Sequence, residues 1–347
     1  MIRNACALGS AQVVKWFVMN LHPDALPWEE TPCDWCGSEA ASLVFEGPDR
    51  LEHLPGTFRL VRCERCGLFR QNPRLTWEGL KHYYPEDYAS HGKLVQQEQG
   101  RLRQMDKRYG PWKRLRAVER YQLGGRMLEV GSGTGLFLEE ALRSGHWEVV
   151  GVEPSEHAAN YSRQHLGVEV IQEMFSKAEF PSACNNSFDV VAFWNVFEHL
   201  YHPIADLHKA HRLLKPGGWL VIGLPNVESW EQRLFGRYWV GWDQPRHLYL
   251  FPQPALRSIL EKEGFRYETA RCISTSYSVL YYTLDFWSQS WDKRYLKLRK
   301  LLLRSYRTLI IRAMLILPLW FLDRLNLGTV ITIFAQKTGT TIPESAG

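Results

Sequence analysis

The most regular hydrophobic pattern in the chain lies between residues 123 and 276, where short apolar runs alternate with amphipathic segments. Apolar runs bounded by turn residues are typical of buried strands, whereas apolar residues at helical spacing are typical of helices. Strands that alternate with helices predict a parallel sheet covered by helices. A further apolar run at residues 328–337 adds the last of seven strands. The pattern therefore predicts an α/β fold with a doubly wound, mainly parallel, seven-stranded sheet.

Composition divides the rest of the chain into further segments. We predict an N-terminal extension at 1–30, a cysteine-containing ribbon at 31–76, a basic helical linker at 77–122 and a helical apolar insertion at 277–327. The main domain is then 123–276 together with 328–338. Strand-like runs at 41–45 and 58–62 lie inside the ribbon segment.

A glycine-rich turn follows the first strand of the predicted sheet. Glu129 is followed by Gly131, Gly133 and Gly135, and an amphipathic helix begins directly afterwards. Glycine allows a sharp turn that leaves no side chains above the backbone, so this loop is suited to a ligand. A dinucleotide fingerprint needs its third glycine one residue later, which argues against a nicotinamide cofactor.

Four sequence features agree with one known family. They are Glu129-x-Gly131-x-Gly133-x-Gly135, the acidic Glu153 after the second strand, Glu198-His199-Leu200 after the fourth, and Leu214-Lys215-Pro216-Gly217-Gly218 before the fifth. Together they resemble the class I S-adenosylmethionine-dependent methyltransferases, which have a Rossmann-like fold. The resemblance implies S-adenosylmethionine as cofactor, with Glu153 on the ribose hydroxyls. The residues implied to bind it are Glu129, Gly131, Ser132, Gly133, Gly135, Glu153, Pro154, Ala178, Glu179, Asn195 and Val196.

Two histidines are candidates for removing a proton from the acceptor. His247 lies in a polar aromatic loop, residues 239–250, at the place where the family admits its substrate, and His199 follows the fourth strand. A hydroxyl nucleophile needs a base of near-neutral pKa, which histidine provides. Alternatively, His247 only holds the loop and His199 only contacts the cofactor.

The acceptor is predicted by analogy alone. The motif Asn/Asp-Pro-Pro-Tyr/Phe, usual in enzymes that methylate base amines, is missing after the fourth strand. The segment 77–88 includes Tyr83-Tyr84-Pro85-Glu86-Asp87-Tyr88. Together with the ribbon segment, it resembles an N-terminal arrangement in methyltransferases from sugar and polysaccharide pathways. We therefore expect O-methylation of a hydroxyl on a glycan precursor, a lipid-linked molecule or another small molecule. An RNA-modifying enzyme and a degenerate cofactor-binding module are the alternatives, although the mild net charge of +5 does not favour nucleic acid.

Four cysteines form two matching Cys-x-x-Cys-Gly motifs. Cys33 and Cys36 make the first pair, and Cys63 and Cys66 make the second. Four sulfur ligands on two tight turns predict a closed tetrahedral zinc site with a structural role, in a zinc ribbon. Metal-type spacing in place of a disulfide framework favours a reducing, cytoplasmic compartment.

The apolar insertion leaves two interpretations open. Its most apolar stretch, residues 308–322, is short for a membrane span and contains Arg312 and Pro318. Residues 295–325 could instead make a peripheral membrane contact, with basic residues toward lipid phosphates. A helical lid or a dimer face is the alternative, and the oligomeric state is left open.

Overall fold

The structure is a computed structural model that describes residues 25–84, 95, 98–273 and 276–339. Residues 1–24 of the predicted N-terminal extension lie outside the described residues. The N-terminal part contains β1 (Trp28–Glu29), β2 (Ala41–Gly47), β3 (Phe58–Cys63), β4 (Phe69–Gln71), β5 (Arg74–Leu75), α1 (Trp77–Leu80) and α2 (Arg101–Val118). The strands predicted for the ribbon segment are thus present as β2 and β3.

Strands and helices then alternate as predicted. The central elements are β6 (Gly125–Val130), α3 (Leu136–Ser144), β7 (Trp147–Val152), α4 (Glu156–Leu166), β8 (Glu169–Ile171), β9 (Phe188–Trp194), α5 (Pro203–Leu213) and β10 (Leu214–Pro225). The C-terminal elements are α6 (Trp230–Phe235), β11 (Tyr249–Leu250), α7 (Gln253–Lys262), β12 (Phe265–Arg271), α8 (Ser276–Gln289), α9 (Leu296–Tyr306), α10 (Leu309–Arg324) and β13 (Val330–Lys337).

The main sheet has seven strands in the order β12-β13-β10-β9-β6-β7-β8. Strand β13 is antiparallel to both of its neighbours, and the other pairings from β10 to β8 are parallel. The prediction of a seven-stranded, mainly parallel, Rossmann-like sheet is confirmed. The strand order reverses between β6 and β9, and ligands of such sheets bind beyond the carboxyl ends of the strands at this reversal.

Local sequence signals explain where the helices end. Ser155 caps α4 by accepting a hydrogen bond from the amide of Ala158, and Gly167 ends the helix in the left-handed conformation, at φ 67°. Both residue types are favoured at these positions. One difference concerns Lys215-Pro216-Gly217-Gly218, which the sequence analysis places before the fifth strand. It lies inside β10, where the pairing with β9 shifts register between Leu214 and Trp219.

The ribbon segment shares its sheet and its core with the main domain. Strand β11 pairs with β4, so a four-stranded antiparallel sheet has the order β11-β4-β3-β2. Phe58 and Leu75 of the ribbon segment belong to the same buried cluster as Leu128 and Phe193 of the main sheet. The loop that leads into β11, which contains His247, is therefore attached to the ribbon.

The apolar insertion folds as α8, α9 and α10, between the adjacent strands β12 and β13. No described helix is by itself long and apolar enough to cross a membrane. One pair of helices, Lys293–Tyr306 and Leu309–Arg324, reaches that length and composition only together, and a bend of 72° separates its members.

Candidate functional site

The glycine loop after β6 is closely packed. A Cβ atom on Gly131 would lie 2.4 Å from Cγ2 of Val196, and one on Gly135 would lie 2.3 Å from Oγ of Ser162. Both glycines also have positive φ values, 70° and 84°. Side chains at these positions would collide with the loop that follows β9 or with α4, which explains the glycines physically.

Most backbone amides of this loop are used within the protein. The amides of Gly131 and Ser132 donate to the carbonyl of Val152, and the amide of Gly133 donates to Oε2 of Glu153 at 2.8 Å. The amide of Gly135 donates to the carbonyl of Ser132. The loop therefore presents open backbone surface to a ligand, but it has fewer free hydrogen-bond donors than its sequence suggests.

Glu129, at the end of β6, is a buried carboxylate whose Oε2 has no hydrogen-bond partner in the described part of the chain. Burial raises the pKa of Glu129 well above its usual value, Arg114 opposes this shift, and Glu153 adds to it. A ligand with a cationic amino group would satisfy the free oxygen and favour the ionised form.

Arg114 of α2 lies in the site, although the sequence analysis assigned it only to the basic helical linker. Its guanidinium lies 5.1 Å above the Trp194 ring and donates to Oδ1 of Asn195 at 3.4 Å. Burial lowers the pKa of Arg114, and the charge of Glu129 raises it. Asn195 itself adopts a left-handed conformation, at φ 58°, directly after β9. Arg114 and Glu129 therefore place opposite charges beside the glycine loop, suited to the zwitterionic end of an amino acid.

Glu153 follows β7 and is nearly buried. Its Oε2 accepts from Gly133 and its Oε1 accepts from the amide of Ser155 at 2.8 Å, so the carboxylate lies against the glycine loop. The adjacent Pro154 is exposed. Each carboxylate oxygen has more than one acceptor position, so Glu153 can also accept from a ligand hydroxyl.

The loop after β8 contains the residues predicted to contact adenine. Ala178 is buried and its carbonyl accepts from Nζ of Lys209 on α5, whereas Glu179 is exposed. The carbonyl of Phe175 accepts from the same ammonium group. Lys209 thus ties this loop to α5, and the adenine contact stays a prediction.

The two candidate bases, His199 and His247, lie together. Their ring centroids are 4.7 Å apart in an edge-to-face arrangement. Nδ1 of His199 is 2.9 Å from the carbonyl oxygen of Arg246, and Nδ1 of His247 is 2.8 Å from that of Gly241. A carbonyl only accepts, so each Nδ1 carries the proton and each Nε2 has a free lone pair.

Electrostatics keep both imidazoles neutral. Burial lowers the pKa of His199 to about 3, and His247 adds to this effect. Burial also lowers the pKa of His247, although Asp243 opposes the shift. Two neutral imidazoles with free Nε2 atoms can accept a proton or bind a cation.

Glu198 lies beside this histidine pair and was noted in the sequence only as part of a motif. It is fully buried, and neither carboxylate oxygen has a hydrogen-bond partner among the described residues. Its Oε1 is 3.9 Å from Nε2 of His247. Burial raises the pKa of Glu198 to about 8, and Asp243 contributes. One ligand atom from each of Glu198, His199 and His247 lies within 4.8 Å of the others, so the three side chains could hold a metal ion.

The N-terminal part of the chain holds this histidine pair in place. Gln71 of β4 donates to the carbonyl of His247 at 2.7 Å, and the hydroxyl of Tyr84 is 3.0 Å from Nδ1 of His199. Asp49, between β2 and β3, pairs with Arg246 next to His247. Residues from separate parts of the sequence build this site, and no local motif indicated that Asp49, Gln71 or Tyr84 would lie beside the histidines.

The four predicted metal ligands come together at one end of the ribbon. Sγ of Cys33 is 3.5 Å from Sγ of Cys66, and Sγ of Cys36 is 3.5 Å from Sγ of Cys63. All four sulfur atoms lie within 4.8 Å of one another. Gly37 and Gly67 adopt positive φ values of 69° and 75° in the two turns. The predicted clustering of the cysteines is thus present.

A separate open cavity of about 580 Å³ lies at the opposite edge of the sheet, near the start of β6 and β7. Its charged groups are paired with each other, Arg126 with Glu148 and Lys215 with Asp189. Ligands of doubly wound sheets bind at the carboxyl edge, so we place the functional site there and not in this cavity.

Comparison with known proteins identifies a methyltransferase domain in this chain. Residues 101–270 match a family model described as a methyltransferase domain. The ubiquinone biosynthesis O-methyltransferase of Thiobacillus denitrificans is 36% identical over 118 residues, which are 33% of this chain and 50% of that protein. The enzyme of the same name from Ruegeria pomeroyi is 38% identical over 112 residues, 31% of this chain and 44% of that protein.

The chain therefore spans half or less of the length of these curated relatives. A solved S-adenosylmethionine-dependent methyltransferase of Thermotoga maritima is 27% identical, with a TM-score of 0.39, and the match covers 48% of this chain and 74% of that one. The family match and the curated relatives confirm the prediction of a methyltransferase domain. The matched region begins at Arg101, so it includes α2 and Arg114.

Proposed function

We propose that this protein is an S-adenosylmethionine-dependent O-methyltransferase that methylates a hydroxyl group beside His199 and His247. The observation that carries the proposal is the arrangement at the reversal of strand order: a bare glycine loop with Glu129 and Glu153 on one side, and two neutral imidazoles on the other. The relatives named as O-methyltransferases support oxygen as the methylated atom.

The residues of the site have separate roles in binding the cofactor and in removing the proton. When bound, S-adenosylmethionine supplies an activated methyl group, whose bond to sulfur breaks as the acceptor oxygen attacks, leaving S-adenosylhomocysteine. Glu129 and Arg114 hold the amino acid end, and Glu153 holds the ribose. Nε2 of His247 takes the hydroxyl proton, because its tautomer leaves that nitrogen unprotonated. Holding the reacting atoms in line is the main contribution of the protein.

A divalent metal ion is a second way to use the same site. The buried, unbonded carboxylate of Glu198 beside two imidazole nitrogens favours it, since carboxylate and imidazole together suit several transition metals. Such an ion would lower the pKa of an acceptor hydroxyl. Activity that survives treatment with a chelator, and does not rise on adding Mg²⁺, Mn²⁺ or Zn²⁺, would leave His247 alone as the base.

The acceptor we propose is a hydroxyl on a lipid-linked molecule, a glycan precursor or another small molecule. The relatives are named for ubiquinone biosynthesis, and the apolar helix α8 of this chain packs beside the loop that contains His247, which together favour an acceptor with an apolar part. Val240 in this loop donates its amide to the hydroxyl of Thr283 on α8 at 3.3 Å.

Transfer of a labelled methyl group tests this function. The purified protein and labelled S-adenosylmethionine are incubated with a cell extract that is then separated into lipid, glycan and RNA fractions. We expect label in the lipid or glycan fraction, stable to mild alkali because an ether resists hydrolysis and an ester does not. Label in RNA would support the alternative function, and no transfer to any fraction would support a cofactor-binding module. Thermal stabilisation by NAD and not by S-adenosylhomocysteine would overturn the cofactor.

We also propose that Cys33, Cys36, Cys63 and Cys66 bind one structural zinc ion. The backbone amides of Trp35 and Cys36 point at Sγ of Cys33, and those of Arg65 and Cys66 point at Sγ of Cys63. Zinc–sulfur bonds of about 2.3 Å in a tetrahedron need sulfur atoms just under 4 Å apart, about the separation present here. Four thiolates fill the coordination sphere, so the ion has no open position for catalysis.

A further inference from the structure

The outward side of α10 is almost entirely apolar and is exposed to solvent. Leu309, Ile310, Met314, Leu317, Trp320 and Phe321 are each between 53% and 80% exposed. The opposite side of the helix packs on the body of the protein through Leu315 and Leu319. We name these six exposed residues the α10 face. Monomeric soluble proteins rarely expose so many large apolar residues together, so this face has a partner.

The helix next to this face carries an excess of positive charge. Residues 293–324 contain nine Lys or Arg residues and one Asp, a net charge of +8, while the whole chain has +5. Subtracting +8 from +5 leaves −3 for all other residues. On α9, Lys297, Lys300 and Arg304 are exposed, whereas Arg299 turns inward to pair with Asp285. A partner of this surface must therefore accept both apolar side chains and cations.

The topology places this surface on one side of the protein. Helix α8 leaves the sheet after β12, and α10 returns to it through β13, the neighbouring strand. Both ends of the insertion are thus fixed to the same sheet. An apolar helix face flanked by exposed cations is typical of helices that lie in the plane of a membrane interface.

A second copy of the chain fits this surface poorly. A symmetric dimer would bring the same patch of each subunit together, so the exposed Lys297, Lys300 and Arg304 of one copy would face those of the other. Like charges at an interface oppose association. An anionic lipid surface instead accepts the apolar side chains in its acyl layer and the cations at its phosphates.

We propose that α9 and α10 dock this protein on the surface of an anionic lipid bilayer. Helix α8 connects the docked helices to the loop that contains His247, because its Thr283 accepts from the amide of Val240 in that loop. Phe235 of α6 contacts Trp287 of α8, with ring centroids 5.7 Å apart. Tyr306 of α9 and Leu319 of α10 belong to the same hydrophobic cluster as Phe235. Docking therefore holds the loop with His247 near the lipid phosphates, where a lipid-linked acceptor would present its head group. Only this last step depends on the proposed methyltransferase function.

Vesicle sedimentation tests the docking directly. The full chain is mixed with vesicles of phosphatidylcholine alone or with added phosphatidylglycerol. We expect the partition coefficient to be about tenfold higher on anionic vesicles and to fall as salt is raised. Replacing Ile310 and Leu317 by Asp should reduce binding about tenfold or more, because both side chains leave water on docking. Leu123→Asp changes an equally exposed leucine, 77%, outside the insertion and should bind as the wild type does.

A charge variant separates the two contributions. Lys297→Glu combined with Lys300→Glu should abolish the preference for anionic vesicles, whereas Arg143→Glu on α3 should not. Unchanged melting temperature and S-adenosylhomocysteine affinity show that the variants are folded. Equal binding of all proteins to both vesicle types would overturn the proposal. The proposal would also be overturned if the wild-type protein is a dimer in sedimentation velocity and does not bind vesicles, while the variant with Asp at positions 310 and 317 is a monomer.

Discussion

The guanidinium of Arg246 donates hydrogen bonds to both carboxylate oxygens of Asp49, at 2.7 and 3.3 Å. Arg246 also pairs with Asp243, and all three side chains are buried or nearly so. Asp49 lies in the ribbon, whereas Arg246 directly precedes His247. The ribbon is therefore part of the candidate active site, because it holds the loop that carries the candidate base.

The change Asp49→Asn should weaken this attachment. Breaking a buried ion pair from one side costs on the order of 3 kcal/mol. The guanidinium of Arg246 loses the carboxylate of Asp49 and keeps that of Asp243. We expect a lower melting temperature and a lower kcat, with S-adenosylhomocysteine affinity within about twofold because the cofactor site lies on other elements. Glu46→Gln is the matched control, as Glu46 pairs with Arg59 at the ribbon surface, where both side chains are about half exposed. A kcat equal to that of the wild type would show that the ion pair does not position His247.

The change His247→Ala should lower kcat at least about tenfold, because a positioned general base typically contributes roughly 10²–10⁴-fold. Cofactor affinity should not change. Burial lowers the pKa of His247 below 6.5, so the imidazole is neutral at pH 7 and becomes protonated only in more acidic solution. The wild-type kcat/KM, measured with a chelator present, should therefore be constant near pH 7 and fall as the pH drops through that lowered pKa.

The exposed His146 provides the control, and His146→Ala should leave kcat and the pH profile unchanged. His199→Ala separates the two histidines. If it lowers kcat as much as His247→Ala does while His247→Ala retains the wild-type pH profile, then His199 is the base.

The change Arg114→Gln should weaken cofactor binding about tenfold, as expected for the loss of one charge-assisted hydrogen bond. Arg114 is the positive group beside Glu129, so its removal also raises the pKa of that carboxyl further. Isothermal titration with S-adenosylhomocysteine measures the effect. Arg116→Gln is the control, because Arg116 is on the same helix with its side chain 66% exposed. Equal affinity of the two variants would remove Arg114 from the cofactor site.

Sequence predicted best those features that local chemistry determines. Alternating apolar segments predicted the seven strands of the main sheet. The glycine loop and Glu153 were recognisable because their spacing follows from the turn they form. The two matching Cys-x-x-Cys-Gly motifs predicted that the four cysteines lie together, since each motif occupies one tight turn.

Long-range contacts could not be predicted in this way. Asp49 and Arg246 are 197 residues apart, and nothing near either residue indicates the other. Strand β11 is only two residues long, so no apolar pattern revealed that it extends the ribbon sheet. Arg114 belongs to a helix with many basic residues, and only tertiary packing selects it for the pocket.

The change Cys36→Ser should remove zinc from the ribbon. We expect about one zinc ion per wild-type chain and almost none in the variant, because a hydroxyl replaces a thiolate ligand. Metal content after dialysis measures this, and the melting temperature should fall with it. Cys184→Ser, a thiol outside the cluster, should retain the metal. A metal-free wild type with an unchanged melting temperature would contradict the structural role.

The change Glu231→Gln should alter how stability depends on pH. Glu231 is fully buried and accepts from the hydroxyls of Thr283, at 3.0 Å, and Thr329. Burial raises its pKa to about 7, more than these two hydrogen bonds lower it. In the unfolded chain its pKa is about 4.5, so between these values the folded state binds more protons. The stability contributed by the protonated form is therefore complete below pH 4.5 and is lost as the pH rises to 7.

Over that range the free energy of unfolding of the wild type should fall, relative to Glu231→Gln, by on the order of 3 kcal/mol. Denaturant unfolding at several pH values measures the difference, and Glu148→Gln, an exposed carboxylate, should follow the wild type. A constant difference between wild type and Glu231→Gln at all pH values would show that Glu231 does not titrate in this range.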